Sequence, residues 1–432
     1  MRRVIVITGI GMVTPLGHDP PTLWQRMKAG NSAAAPPAHF DATPFACPVC
    51  AEVRDFQPQR YGSESKLVRL MNRQAQLAVA AAHLALEDAG LGGKRAYLPE
   101  EIGLFGATGL AGLALAEVLP LIKASTGADG RFDAGRFGRD GLKAVSPILS
   151  FKVLSNMPLC FVSICQNIQG PNAIYTPWEG QGAQAVEAAV RALEGGEARC
   201  ALAGGCDVKT HALAFLGLEQ QGAFSAWQKQ RAGPVPGEGA AFLVLEEEGD
   251  AVARGARIHA RLAGIGLATR RKGASGREAC VETLEKLRRA VPRLGHPALP
   301  AWMNGAREIG RRPLTPARSP SEAERVPFRV REGYAAEAIP FDSSECLSLA
   351  AIVAAGNGDA QIEQDENQAL ATLQIDAARV VHPKKQMGDL FAAAAPVQIG
   401  LAAWLAARQG GRVLANCFGH GSEQAAFLLE PP

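Results

Sequence analysis

Gly170-Pro-Asn-Ala-Ile-Tyr-Thr-Pro-Trp-Glu-Gly-Gln-Gly182 joins a short β-prone run, Ala173 to Thr176, to an Ala-rich helix that starts near Gly180, through a turn at Pro177. Beyond it Val186, Val190 and Leu193 recur at i, i+4 and i+7, which puts them on one helix face. Glu179 therefore sits where a strand hands over to a helix N-terminus. Unpaired N–H groups and the helix dipole favour negative charge there. A Glu in this place can cap the helix or do chemistry, and position alone favours the cap.

A chain of 432 residues has room for two or three average domains, or for one large fold made of two similar halves. With 47% hydrophobic and 20% charged residues it reads as a globular protein with a large core. The formal net charge of +3 gives no argument for nucleic acid. Nine cysteines are unevenly scattered, several inside apolar runs, so reduced thiols in the cytoplasm fit better than disulfides. Cys47 and Cys50 form a C-x-x-C with no second pair nearby, which makes a loop with two free thiols a better reading than zinc. No apolar run reaches the length of a membrane span. Val4-Ile-Val-Ile after Met1-Arg-Arg is broken at once by Gly9, Gly11, Thr14 and Pro15, so it reads as a buried first strand and not a signal peptide. Gly9-Ile-Gly11 lacks the third glycine of a dinucleotide fingerprint, which would fall at Thr14.

Along the chain, residues 21–29 read as a short helix around Leu23, Trp24 and Met27, followed by a Pro-rich loop to about Pro58. A long helix is expected over 67–89, with Leu70, Leu77 and Leu84 on one face, stopped by Gly90. Lys66, Arg69 and Arg73 fall on a neighbouring face, either as a solvated surface or as a docking patch for an acidic partner. Residues 102–106 read as a strand, 110–124 as an apolar helix and 130–155 as a polar loop. Arg199 to Asp207 and the run after Pro236 read as strands, and the strand around Leu262 opens a second α/β half. The expected division is thus 1–250 and 251–432, with a Pro/Arg-rich insertion near 297–345. The halves echo each other. Glu179 precedes an Ala-rich helix ending in Gly195-Gly196 before Arg199, and Asp389 precedes one ending in Gly410-Gly411 before Arg412. A duplicated unit would bring Glu179 and Asp389 into one pocket.

Several stretches occur in the order and spacing of one family: Val6-Ile-Thr-Gly-Ile-Gly-Met-Val-Thr-Pro-Leu-Gly17, Gly170-Pro-Asn172, Ala203-Gly-Gly205, Pro236-Gly-Glu-Gly-Ala240 with Leu243-Val-Leu-Glu246, and Asn416-Cys-Phe-Gly-His-Gly421. On these the chain resembles the β-ketoacyl-acyl-carrier-protein synthases, the condensing enzymes of the thiolase-like fold. The resemblance implies a duplicated, five-layered αβαβα α/β architecture, dimerisation through the first half, and no cofactor or metal. It also implies a nucleophilic Cys at the strand-to-helix turn, whose thiolate attacks a thioester, and two His that donate hydrogen bonds to the developing enolate.

All three positions differ here. The Cys position aligns with Glu179. The first His position, in the family's N-A-H-G-T-S-T loop, aligns with Ala355 in Val353-Ala-Ala-Gly-Asn357, a register supported by Glu366 downstream; a rival register at Met303-Asn-Gly-Ala306 offers no His either. The second His follows a family lysine by five residues, and here Lys384 is kept while the His has become Asp389. Phe418 and Gly419 keep the family's Gly-rich loop near the nucleophile, and His420 replaces a Phe. Two carboxylates close together would share a proton, or one would pair with Lys384. Neither replaces a thiolate. The resemblance supplies a role for such a copy: a chain-length factor that pairs with an active ketosynthase as a heterodimer and shapes the acyl tunnel, with Leu113, Leu115 and Val118 as candidates for its wall. The alternative is an enzyme whose chemistry is rebuilt on Glu179 and Asp389, with His420, to decarboxylate, hydrolyse or transfer an acyl group from a carrier. A third reading is a homodimer that holds an acyl carrier protein on Lys66, Arg69 and Arg73.

Overall fold

The computed structural model describes residues 3–61, 65–93, 96–110, 112–176, 180–271, 273–291, 348–419 and 421–432, all within one compact unit. The expected insertion near 297–345, the rival register at 303–306, Glu179 and His420 lie outside the described residues. The first five strands of the ten-stranded sheet are β1 Ile5–Val13, β2 Ile102–Thr108, β3 Asn172–Tyr175, β4 Cys200–Val208 and β5 Glu238–Glu247. The next five are β6 Ala260–Thr269, β7 Ala351–Val353, β8 Val380–Val381, β9 Val413–Cys417 and β10 Glu423–Glu430. They hydrogen-bond in the order β8-β7-β9-β10-β6-β1-β5-β4-β2-β3. The two halves of that order are the same. In each, the third, second and fourth strands run parallel, and the fifth is antiparallel to both the fourth and the first. The halves meet where β1 pairs with β6 through Val6↔Arg261 and Ile7↔Ala260.

Helices cover both faces of each half, which is why every residue of β1, β2 and β4 is buried and why these strands read as continuous apolar runs without alternation. The outer N-terminal layer is α1 Arg73–Asp88 with α3 Met157–Gln166; α2, Leu115–Ser125, lies between them in sequence. The central layer is α4 Gly180–Gly195 with α7 Ala394–Gln409, and the outer C-terminal layer is α5 Gly276–Ala290 with α6 Ala360–Thr372. Three apolar cores fill the spaces. Val186, Val190 and Leu193 pack with Val397, Ile399, Leu401, Leu243 and Phe427 in the middle. Leu77, Leu86 and Phe161 pack on Leu202 and Val244 on one outside, and Leu284, Leu287 and Leu370 on Ile352, Leu414 and Leu428 on the other. The five layers implied by the resemblance are therefore present.

Four sequence expectations need correction. The helix expected over 67–89 is two, Ser65–Val68 and α1, because Asn72 caps α1 by accepting from Ala75 N–H at 2.9 Å and the chain turns at 69–72. Leu70 consequently lies in the turn and is exposed. The helix expected over 110–124 begins only at Leu115, where Ala114 N–H donates to Glu117 Oε2 at 3.2 Å. The polar loop of 130–155 contains helical turns at Ala134–Arg136, Phe137–Gly141, Leu142–Ala144 and Leu149–Val153, and exposes Phe132, Leu142, Phe151 and Leu154. Finally, the segment Phe391–Gln409 is long and apolar enough to cross a membrane by length and composition, but it is mostly buried between the two halves as the Ala-rich central helix. Gly9 and Gly11, by contrast, have a packing role: a Cβ on Gly11 would lie 2.0 Å from Ala81 O, so these glycines let α1 rest directly on β1.

Candidate active site

Asp389 lies between a helical turn, Pro383–Met387, and the turn Phe391–Ala393 that opens α7. The chain passes through Gly388 at φ +82°, where a Cβ would come within 2.6 Å of Ala51 Cβ. Asp389 N–H donates to Val235 O at 2.8 Å and Gly237 N–H donates to Asp389 O at 2.9 Å, which clamps the backbone on both sides. Its side chain is 2% exposed and faces donors. Asn357 Nδ2 donates to Oδ2 at 2.8 Å, Phe391 N–H donates to Oδ1 at 3.0 Å, and Lys384 Nζ stands 3.5 Å from Oδ2. Lys384 is 1% exposed and also donates to Phe418 O at 3.3 Å. Phe391 adopts φ +47°, the left-handed region that a bulky residue enters only where its surroundings hold it.

Ala355 follows β7 and is fully buried. Its N–H donates to Glu366 Oε1 and Oε2 at 3.0 and 3.1 Å, Gly356 N–H donates to Oε2 at 3.1 Å, and Asn416 Nδ2 donates to Oε1 at 2.7 Å. Glu366 thus ties α6 to both the 354–357 loop and β9. Burial holds its carboxyl above the usual carboxylate range despite these donors. Gln398 on α7 completes the frame, donating from Nε2 to Ala354 O and Asn416 O, each at 2.9 Å.

The end of β4 brings a second buried pair that the sequence reading missed. Lys209 Nζ stands 2.6 Å from Asp207 Oδ1 and 5.3 Å from the centroid of the Phe391 ring. Burial raises the Asp207 carboxyl, opposed by Lys209. His211 Nδ1 accepts from Ala214 N–H at 3.3 Å, capping the helix Ala212–Gln220. Burial, with Lys209 next in importance, pulls this imidazole down to about 4. The signal available was a lysine and a histidine directly after the apolar strand of residues 200–208.

A cavity of about 490 Å³ opens onto Asp389, with Asn357, Phe391, Phe224, Leu218 and Pro236 in its wall. Asp389 and Asn357 are therefore brought together with Lys384 behind them, while Ala355 lies on the neighbouring loop. Phe418 is 1% exposed, and Gly419 N–H donates to Gln424 Oε1 at 3.1 Å. Of the proposed tunnel wall, Leu113 is buried, Leu115 exposed and Val118 half-buried, so the three do not share one environment. Of the proposed docking patch, Lys66 and Arg69 are exposed. Arg73 instead turns inward, pairing with Glu238 at 2.8 Å and donating to Val53 O at 2.6 Å, because Glu238 at the start of β5 is buried and needs a cation.

Chemically, Asp389 offers an acceptor whose two oxygens are already occupied by donors, and Ala355 offers a methyl group. Neither can donate a hydrogen bond to an enolate oxygen. Among the described residues no cysteine lines the cavity. The nearby Cys417 is buried, and its thiol is pushed up to about 12.

Residues 2–251, more than half of the chain, match the β-ketoacyl synthase N-terminal domain. The chain belongs to the β-ketoacyl synthase family. Among curated β-ketoacyl synthases, the 3-oxoacyl-(acyl-carrier-protein) synthase 2 of Vibrio cholerae is 32% identical over 281 residues, covering 62% of this chain and 63% of that protein. The actinorhodin polyketide putative β-ketoacyl synthase 1 of Streptomyces coelicolor is 30% identical over 275 residues, covering 61% and 57%. The chain thus matches less than two thirds of the length of these relatives. Among solved structures, the ishigamide ketosynthase/chain length factor superposes with a TM-score of 0.72 at 21% identity, covering all of both chains. A β-ketoacyl synthase from Burkholderia phymatum gives 0.72 at 20%, again covering all of both chains. At these identities the likeness is one of fold, and the fold is thiolase-like.

Proposed function

We propose that this chain is a chain-length-factor-like subunit: a β-ketoacyl synthase fold that has given up condensation, pairs with an active ketosynthase, and helps shape the tunnel that holds the growing acyl chain. The observation that carries this reading is the buried Asp389–Lys384 pair, saturated by Asn357 and the Phe391 N–H, where an enolate-stabilising imidazole would be needed. With Ala355 on the adjoining loop, and Glu179 aligned in sequence with the nucleophile position, neither a thiol nor an imidazole is supplied by the three family positions. The pairing surface in this reading is the edge strand β3 and the stretch before it. Eleven of the 17 exposed large apolar side chains among the described residues lie between Leu110 and Ile174, including Phe132, Phe151 and Ile164. Acyl carrier protein and a cytoplasmic setting belong to the same reading.

Co-expression with candidate ketosynthases followed by native mass measurement tests it. The expected result is a stable mixed pair whose product is unchanged by Glu179→Gln. The second reading, chemistry rebuilt on Glu179 and Asp389, draws on the cavity that reaches Asp389. A homodimer that turns over an acyl-carrier thioester, and loses that turnover in Glu179→Gln, would replace the first reading with this one.

A further inference from the structure

Trp24, on the helix Pro20–Lys28, and Trp404, on α7, lie with ring centroids 6.5 Å apart. Both are half-buried against the central core. Lys28 Nζ stands 5.8 Å and Arg379 Cζ 5.5 Å from the Trp24 ring centroid, and Arg408 Cζ stands 5.5 Å from that of Trp404. The three cations come from three separate segments and all are exposed. Among the described residues none of them has a carboxylate partner or a side-chain hydrogen bond. Elsewhere Arg3, Arg191, Arg199, Arg254 and Arg261 each face an acid. Arg379 directly precedes β8, the open edge of the sheet, where Val380 is 47% exposed.

We propose that this cluster is a docking surface for an acidic segment of a partner protein. A guanidinium laid on an indole face is held in one orientation while its N–H edge stays free, so part of the ordering cost of a bidentate carboxylate contact is met before binding. Three like charges gathered without a counter-charge repel one another, and a partner bearing carboxylates removes that repulsion. The indoles are held by their packing against the core and flanked by three cations, which suits carboxylates better than insertion into a bilayer. Nucleic acid would call for a longer basic track than three cations. The surface is separate from the cavity at Asp389 and does not rest on the chain-length-factor reading.

The test uses the full chain and a synthetic peptide of ten glutamates, followed through tryptophan emission at low salt. The peptide should change the emission, with affinity falling as salt rises. The change should vanish in Trp24→Phe/Trp404→Phe, and affinity should drop at least tenfold both in Lys28→Glu/Arg379→Glu/Arg408→Glu and in the neutral Lys28→Gln/Arg379→Gln/Arg408→Gln. Reversal of Lys66 and Arg69 should leave this signal unchanged. No emission change with wild type, equal affinity in the neutral triple variant, or tighter binding of a thymidine oligonucleotide or phosphatidylserine vesicles would overturn the proposal.

Discussion

The Asp389 and Lys384 side chains are both almost fully buried, and each charge is tolerated because of the other. Asp389→Asn leaves a buried ammonium short of its counter-charge, and Lys384→Met leaves a buried carboxylate without its neighbouring ammonium. Each single change is expected to cost about 3 kcal/mol in urea unfolding, and the double variant clearly less than the sum. Additive losses would mean that the two charges are not coupled. The lysine and the aspartate were legible in the sequence because they keep a family spacing of five residues. The role of Asn357 was not legible, since nothing in Val353-Ala-Ala-Gly-Asn357 indicates that its amide reaches a carboxylate 32 positions on. Lys209 was not legible for the same reason: the Phe391 ring and the buried Asp207 that it faces are brought to it by the way β4 ends against the opening of α7.

The helix Ala212–Gln220 begins on a histidine that caps it, and this gives the element a pH dependence. The folded imidazole titrates near 4 against 6.5 for the unfolded reference. Between those values the unfolded chain binds the extra proton, so the contribution is full above pH 6.5 and is lost as pH falls toward 4. Because His211 keeps some exposure, the loss is on the order of 2 kcal/mol. His211→Asn keeps a cap without a titration, and its stability relative to wild type should rise by that amount between pH 7 and pH 4 in denaturant melts. Where β1 meets α1, Gly11→Ala would press a methyl group against Ala81 O and Ala85 N, both helix backbone, and should cost about 3 kcal/mol. At this scale apolar spacing revealed α4 and α7 well. It overran α1, because Leu70 fits the helical period of Leu77 and Leu84, while the cap at Asn72 decides where the helix starts.

For the molecule as a whole, the repeated strand order was foreshadowed by the echo between the Glu179 and Asp389 segments, because each half needs the same Ala-rich helix thin enough to lie between the two β layers of the sheet. The apolar stretch of 110–174 was legible only in part. Its exposed Phe132, Phe151 and Leu154 are scattered among polar residues and follow no period. Placing charges there, as in Phe151→Asp/Ile174→Lys, should leave the fold intact and convert a purified pair to monomers in analytical ultracentrifugation; retention of the pair would move the interface elsewhere. The strand order adds a consequence for counting. β3 and β8 are the two ends of one continuous sheet, so an assembly joined at β3 leaves every β8 end, and with it every adjacent cluster of Lys28, Arg379 and Arg408, outward and unshared. The number of acidic ligands bound at saturation would then equal the number of copies of this chain: one in a mixed pair, two in a homodimer.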